Sequence, residues 1–116
     1  MAYNLFMLSS THRLRSSEVE EVFLKGRRLG TPLLSFVSLS PVDRAAFAVV
    51  VTKKVARSAV DRNKIRRRVY SILSKVKNYH TKVHGVFLPK KETKNISFAV
   101  LEKEIENILI RANIIK

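Results

Sequence analysis

The 116-residue chain carries 23 Lys and Arg against 9 Asp and Glu, a formal charge of +14 with a sequence pI near 10.7. Self-repulsion of that size opposes compaction and favours a polyanionic partner, while a hydrophobic fraction of 46% argues against a disordered basic tail. Without cysteine the chain has no disulfide and no thiolate metal site, and its longest apolar run, residues 45–51, is too short to span a bilayer.

No repeat and no Gly/Ser- or Pro-rich linker divides the sequence, which reads as one domain over residues 1–116 with an ordered core at about 11–112. Residues 1–8 lack a basic n-region and a long apolar stretch, so a cleaved signal peptide is not expected and the default compartment is cytoplasmic. The first helix is expected over residues 17–25. Ser17 and Glu20 have capping-box spacing, Glu18, Glu20 and Glu21 suit the positive end of the helix dipole, and Gly26 supplies a stop. Val19, Val22 and Phe23 share one face, which is expected to pack on a sheet. Residues 27–30 read as a short edge strand before Pro32. Residues 33–39 and 45–52 read as strands, and the Pro and Asp of the connector 41–44 predict an antiparallel hairpin between them. The second of these is apolar on both faces, so it is expected to be central and covered. A further strand spans residues 83–88 and ends at Pro89. Ser97 is placed to cap a last helix in which Leu101, Ile105, Ile108, Leu109 and Ala112 form an apolar stripe.

The most informative segment is 53–77, whose ten basic residues and single acid, Asp61, contribute +9 of the total +14. Ile65, Val69, Ile72, Leu73 and Val76 recur at helical spacing, so the charge is carried on an amphipathic helix expected to end near Asn78. Ser58 and Asp61 again have capping-box spacing, which gives the one acid a structural reason to be present. Asn63, Lys64 and Arg67 point away from the stripe, Arg66 and Arg68 flank it, and Arg62 lies in the first turn. Tyr70 is expected beside Asn63, Arg66 and Arg67 as an aromatic ring in a cationic surface. Guanidinium forks bind phosphate oxygens bidentately and stack on bases, and an Asn amide reads base edges or ribose hydroxyls. The acids are segregated: three lie in the first helix and three, Glu102, Glu104 and Glu106, in the last, which marks the basic helix as one binding face.

Chemistry within the chain is not indicated. His80 and His84 are four apart, a spacing that suits two metal ligands on a helix, but the basic helix is expected to stop before them and no acid is near in sequence. Asp43 and Asp61 have turn and cap roles, and no Gly-rich phosphate loop is present. No protein metal site and no catalytic residue is therefore expected.

The run Arg62-Asn63-Lys64-Ile65-Arg66-Arg67, preceded by Lys53-Lys54, resembles the protein component of bacterial ribonuclease P. The segments from His12 to Glu18 and from Val22 to Arg28 resemble that family's opening helix and its exit, and the likeness extends over about residues 11–110. The resemblance implies an α+β fold, a two-layer α/β sandwich of order αβββαβα with a left-handed βαβ crossover around the basic helix. It implies an accessory subunit of an endoribonuclease in which a catalytic RNA, using bound Mg2+, removes the 5′ leader of precursor tRNA. No membrane and no obligate protein partner is expected. Carried onto this sequence, the RNA-binding residues are Lys53, Lys54, Arg57, Arg62, Asn63, Lys64, Arg66, Arg67, Arg68 and Arg13. A leader cleft between the first helix and the sheet is expected to involve Phe23, Val19, Phe36 and Tyr70. Val19 stands where the family commonly has an aromatic, and Leu88-Pro89-Lys90-Lys91 replaces its more usual Ala-Arg-Pro. Two other readings fit the composition: a structural ribosomal RNA-binding protein, and a basic amphipathic helix on an anionic membrane.

Overall fold

The computed structural model describes residues 12–76, 79 and 81–115. Helix α1, Ser16–Lys25, starts one residue earlier than its sequence suggests, because the cap forms at Arg15 rather than Ser17. The Arg15 backbone N–H donates to Glu18 Oε1 at 2.9 Å, so Glu18 takes the reciprocal role expected of Glu20. At the other end the Gly26 N–H donates to the Val22 carbonyl at 2.7 Å, and the chain leaves in extended conformation.

Strand β1, Arg27–Gly30, and strand β2, Leu34–Leu39, form the antiparallel hairpin of the molecule. Thr31 builds its turn: its Oγ1 accepts the N–H groups of Leu33 and Leu34 at 3.2 and 3.1 Å. Strand β3, Ala46–Val49, does not pair with β2 as the connector 41–44 suggests. Strand β4, His84–Pro89, lies between them, antiparallel to β2 and parallel to β3, giving the order β1-β2-β4-β3. The central covered strand is therefore β4, and β3 is an edge. Helix α2, Ala59–Lys75, links these parallel neighbours, and a 3-10 turn, Lys91–Asn95, leads to helix α3, Phe98–Arg111. The order αβββαβα is the expected one. Helix α2 stops at Lys75, short of the expected end near Asn78, because the chain turns extended at Val76, whose N–H donates to the Leu73 carbonyl. Lys77, Asn78 and His80, the last of which bears on the histidine pair, lie outside the described residues, as do residues 1–8.

Alternation along the strands divides the core into two. Leu34, Phe36, Phe47, Val49 and Phe87 point to the face covered by α2 and α3, where they meet Ile65, Val69, Ile72, Leu73, Leu101, Ile105, Ile108 and Leu109. Val37, Ala48 and Val86 point to the other face, where Val22 of α1 packs on them. The sheet thus carries helices on both sides, with the larger layer opposite α1.

Although β3 is an edge, all four of its residues are buried. Its outer rim is closed from two sides. The Leu14 N–H donates to the Phe47 carbonyl at 2.9 Å, and the Val49 N–H donates to the Tyr70 hydroxyl at 3.2 Å.

Gly85 on β4 lets Phe36 and Phe47 close over the strand, since a Cβ there would stand 2.6 and 2.7 Å from two Phe36 ring carbons and 3.0 Å from Phe47. Gly85→Ala is expected to lower stability by about 1–3 kcal/mol through overpacking. Urea unfolding checks it: the midpoint should fall at unchanged slope, and an unchanged midpoint would contradict this packing.

Candidate nucleic-acid interface

The basic segment begins in the turn between β3 and α2. Ser58 Oγ accepts the Asp61 N–H at 3.1 Å and caps the helix, while the Asp61 carboxylate stands 3.6 Å from Lys94 Nζ. Along α2 Ile65, Val69, Ile72 and Leu73 of the expected stripe are buried, while Val76 is half-buried just past the helix end, and the opposite side exposes Asn63, Lys64, Arg67 and Lys75. Lys53, Lys54 and Arg57 are exposed on the preceding turn.

Three arginines expected on this surface are half-buried and held by the chain itself. Arg62 Nη1 donates to the carbonyls of Ala56 and Arg57 at 3.0 and 2.6 Å, tying the turn to the helix. Arg66 Nη2 donates to Asn63 Oδ1 at 2.6 Å, and Arg68 Nη2 donates to the Ile96 carbonyl at 2.7 Å. Lys53, Lys54 and Arg57 share an open hollow of about 870 Å3 with Lys91 and Lys94, which the 3-10 turn brings to the start of α2. Sequence reasoning missed Lys91 and Lys94 as part of this site. Their signal was the cluster Lys90, Lys91 and Lys94, which lies more than thirty residues beyond the helix start it joins.

The second expected region is the seam between α1 and the sheet. Val19 and Phe23 are half-buried there and pack with Leu14, Leu39, Val50 and Leu88. Phe36 and Tyr70 do not belong to it. On β2 Val37 faces α1, so Phe36 one residue earlier must face α2 and α3, where it is fully buried with its ring centroid 4.5 Å from that of Phe87. Tyr70 is also buried, on the far side of the sheet from α1, because its hydroxyl is drawn to the β3 rim. Its ring is therefore not part of the open cationic surface. The Arg13 guanidinium lies 5.3 Å from the Tyr70 ring centroid, which ties the segment before α1 to α2.

One charged cluster was not foreseen. Arg44 forks onto Glu18, Nη1 to Oε2 at 2.8 Å and Nη2 to Oε1 at 3.0 Å, and Nη2 also donates to the Arg13 carbonyl at 3.2 Å. Asp43 joins through Arg44 Nη1 at 3.3 Å and through His84 Nε2 at 3.2 Å. Glu18, Asp43 and His84 bring their ligand atoms within 4.8 Å of one another. That donor set does not fit Mg2+, since the Arg44 guanidinium already takes both oxygens of Glu18 and one of Asp43. The side-chain hydrogen bond from Arg44, helped by the Arg15 N–H, holds the Glu18 carboxyl far below the usual carboxylate range.

The profile of the family described as Ribonuclease P matches residues 8–113. The ribonuclease P protein component of Synechococcus elongatus is 29% identical over 116 aligned positions, covering 93% of this chain and 95% of that protein. Among solved structures, the RNase P protein of Staphylococcus aureus superposes with a TM-score of 0.81 at 18% identity, covering 90% of this chain and 98% of that one. The RNase P protein from Thermotoga maritima gives 0.76 at 24% identity, covering 85% and 96%. At those identities the two structures speak to the fold.

The Arg44 fork predicts an acid-side signature. Unfolded Glu18 titrates near its ordinary 4.5, and the folded carboxyl titrates well below it. Between those values the unfolded chain binds the extra proton, so this contribution is complete above about pH 5.5 and is lost as pH falls toward the folded value. Glu18→Gln should therefore flatten the dependence of unfolding free energy on pH between about 5 and 3. Parallel wild-type and variant curves would show that the fork does not couple to titration.

Proposed function

The chain belongs to the ribonuclease P protein family, and we propose from that premise how its surfaces divide the work. As a ribonuclease P protein component it takes part in tRNA processing, and the family match favours this role over that of a structural ribosomal RNA-binding protein. The basic face around α2 docks the catalytic RNA, and the seam beside α1 receives the 5′ leader of precursor tRNA. The observation that carries the docking assignment is the gathering of Lys53, Lys54, Arg57, Lys91 and Lys94 around one hollow at the start of α2, continued by exposed Lys64 and Arg67. Each such cation that meets a phosphate releases condensed counterions, which drives association and makes it salt-dependent. A membrane-surface role for α2 is disfavoured because its apolar stripe is buried under β3 and α3.

Cleavage is assigned to the RNA partner and to magnesium held there, which supplies Lewis-acid and nucleophile-generating chemistry when bound. Among the described residues, the one group of carboxylates and imidazole close enough to share an ion is closed by Arg44, so this chain's residues bind and orient RNA. By crowding cations against phosphates they reduce the screening that free magnesium must otherwise provide. In the seam, the half-buried ring of Phe23 offers a leader base an aromatic contact, and Val19 a shallow apolar one. No helix among the described residues is long and apolar enough to cross a membrane. The proposed place of action is the cytoplasm, with no obligate protein partner.

A cleavage assay with the cognate catalytic RNA tests the whole reading. Added protein should lower the magnesium concentration needed for cleavage and tighten binding of precursor tRNA. If it does neither, the reading is wrong. Phe23→Ala should impair binding of leader-bearing precursor more than that of mature tRNA. Equal loss on both, with a lowered Tm, would make Phe23 a core residue only.

A further inference from the structure

Between α2 and the start of α3 lies a second, smaller groove of about 250 Å3, lined by Lys64, Arg67, Arg68, Ser71 and Phe98. We propose that this groove is a subsite for one unpaired RNA nucleotide, its base lying against Phe98 and its phosphate between Lys64 and Arg67. The inference rests on the chain being an RNA-binding subunit and adds to that role a stacking residue on α3. Tyr70, the aromatic that α2 itself offers, is buried on the β3 side, so an aromatic contact on this surface has to come from a neighbouring element.

The groove has the required parts. Phe98 is only partly buried while packed against the core, which anchors the ring and leaves part of it at the surface. Lys75 Nζ stands 5.2 Å from the ring centroid, so a ring face is already reached by a polar, exposed group. Arg68 forms one wall, its Nη2 bonded to the Ile96 carbonyl just before α3. Lys64 and Arg67 at the rim are exposed, and no carboxylate lines the groove. Cations around an aromatic floor complement a nucleotide, whose phosphate is anionic and whose base has a π face. A paired base within a helix keeps its faces stacked, so the chemistry selects an unpaired one.

The chain contains no tryptophan, so Phe98→Trp installs a single indole reporter in the groove. The probes are an eight-nucleotide oligoadenylate and an abasic ribose-phosphate strand of equal length, titrated into the full chain. Oligoadenylate should quench the emission of the Phe98→Trp protein and the abasic strand should not. Phe98→Leu, which keeps apolar packing, should weaken oligoadenylate binding by about fivefold or more, as loss of a stacked base does. Its affinity for the abasic strand and its salt slope should match wild type, since no phosphate contact is removed. An emission that responds to neither strand, or an equal loss of both strands in Phe98→Leu, overturns the subsite. If Phe98→Leu does not fold, the quenching contrast between the two strands decides alone. Wild-type protein that binds neither strand would overturn the RNA-binding reading itself, whereas binding of both strands with a silent reporter removes only the groove.

Discussion

Parallel pairing of β3 with β4 constrains the rest of this molecule. Two parallel neighbours cannot be joined by a tight turn, so the chain must cross from the end of one strand to the start of the other. Here α2 is that crossover, and Ser58 and Asp61 start it immediately after the turn that leaves β3. One side of α2 is consumed by the sheet and α3, which leaves its basic side facing outward. The same crossing sets the 3-10 turn after β4 beside the helix start, bringing Lys91 and Lys94 to Lys53, Lys54 and Arg57. The charge concentration on this face thus follows from strand order.

Placing β3 at an edge leaves its outer backbone groups to be satisfied elsewhere. Leu14 takes one and Tyr70 another, so the strand is sealed by the approach to α1 and by α2. Arg44 reinforces the seal by gripping Glu18 of α1 and the Arg13 carbonyl together. The two candidate surfaces are therefore linked through one strand: β3 turns Ala48 toward the α1 seam and holds the buried side of α2 through Tyr70. A shift of α1 relative to the sheet must strain contacts that also hold α2.

Features written in local spacing were legible from the sequence. The start of α2 at Ser58, its apolar stripe, the cap of α3 at Ser97 and the short β1 all follow from residues within a few positions of one another. Pairing was not. Residues 41–44 have turn chemistry, yet the partner that β2 selects lies in β4, more than forty residues on, and no local signal records it. Ala46–Val49 is apolar on both faces because helices cover it on both sides and side chains seal its rim, a composition that a central strand shares. In the site, the exposed Lys64 and Arg67 stand where helical geometry puts them. Tyr70 and Phe36 were misplaced because a hydroxyl's partner and a strand's facing depend on neighbours distant in sequence. The pairings of Arg44 and Lys94, each with a carboxylate on another element, depend on the fold and have no local signal.

The half-buried arginines give the basic face a mechanical character. Arg62, Arg66 and Arg68 are each moored to an oxygen of the chain, whereas Lys64 and Arg67 stand exposed around them. A moored guanidinium has already surrendered much of its rotamer freedom, so engaging RNA costs it little further order, about 0.5–1.5 kcal/mol less than for a loose side chain. It also cannot follow a phosphate that lies elsewhere without giving up its bond to the protein. The face is in effect a stiff template with a compliant fringe: the fringe captures any polyanion, and the template rewards a backbone whose phosphates come at the right intervals.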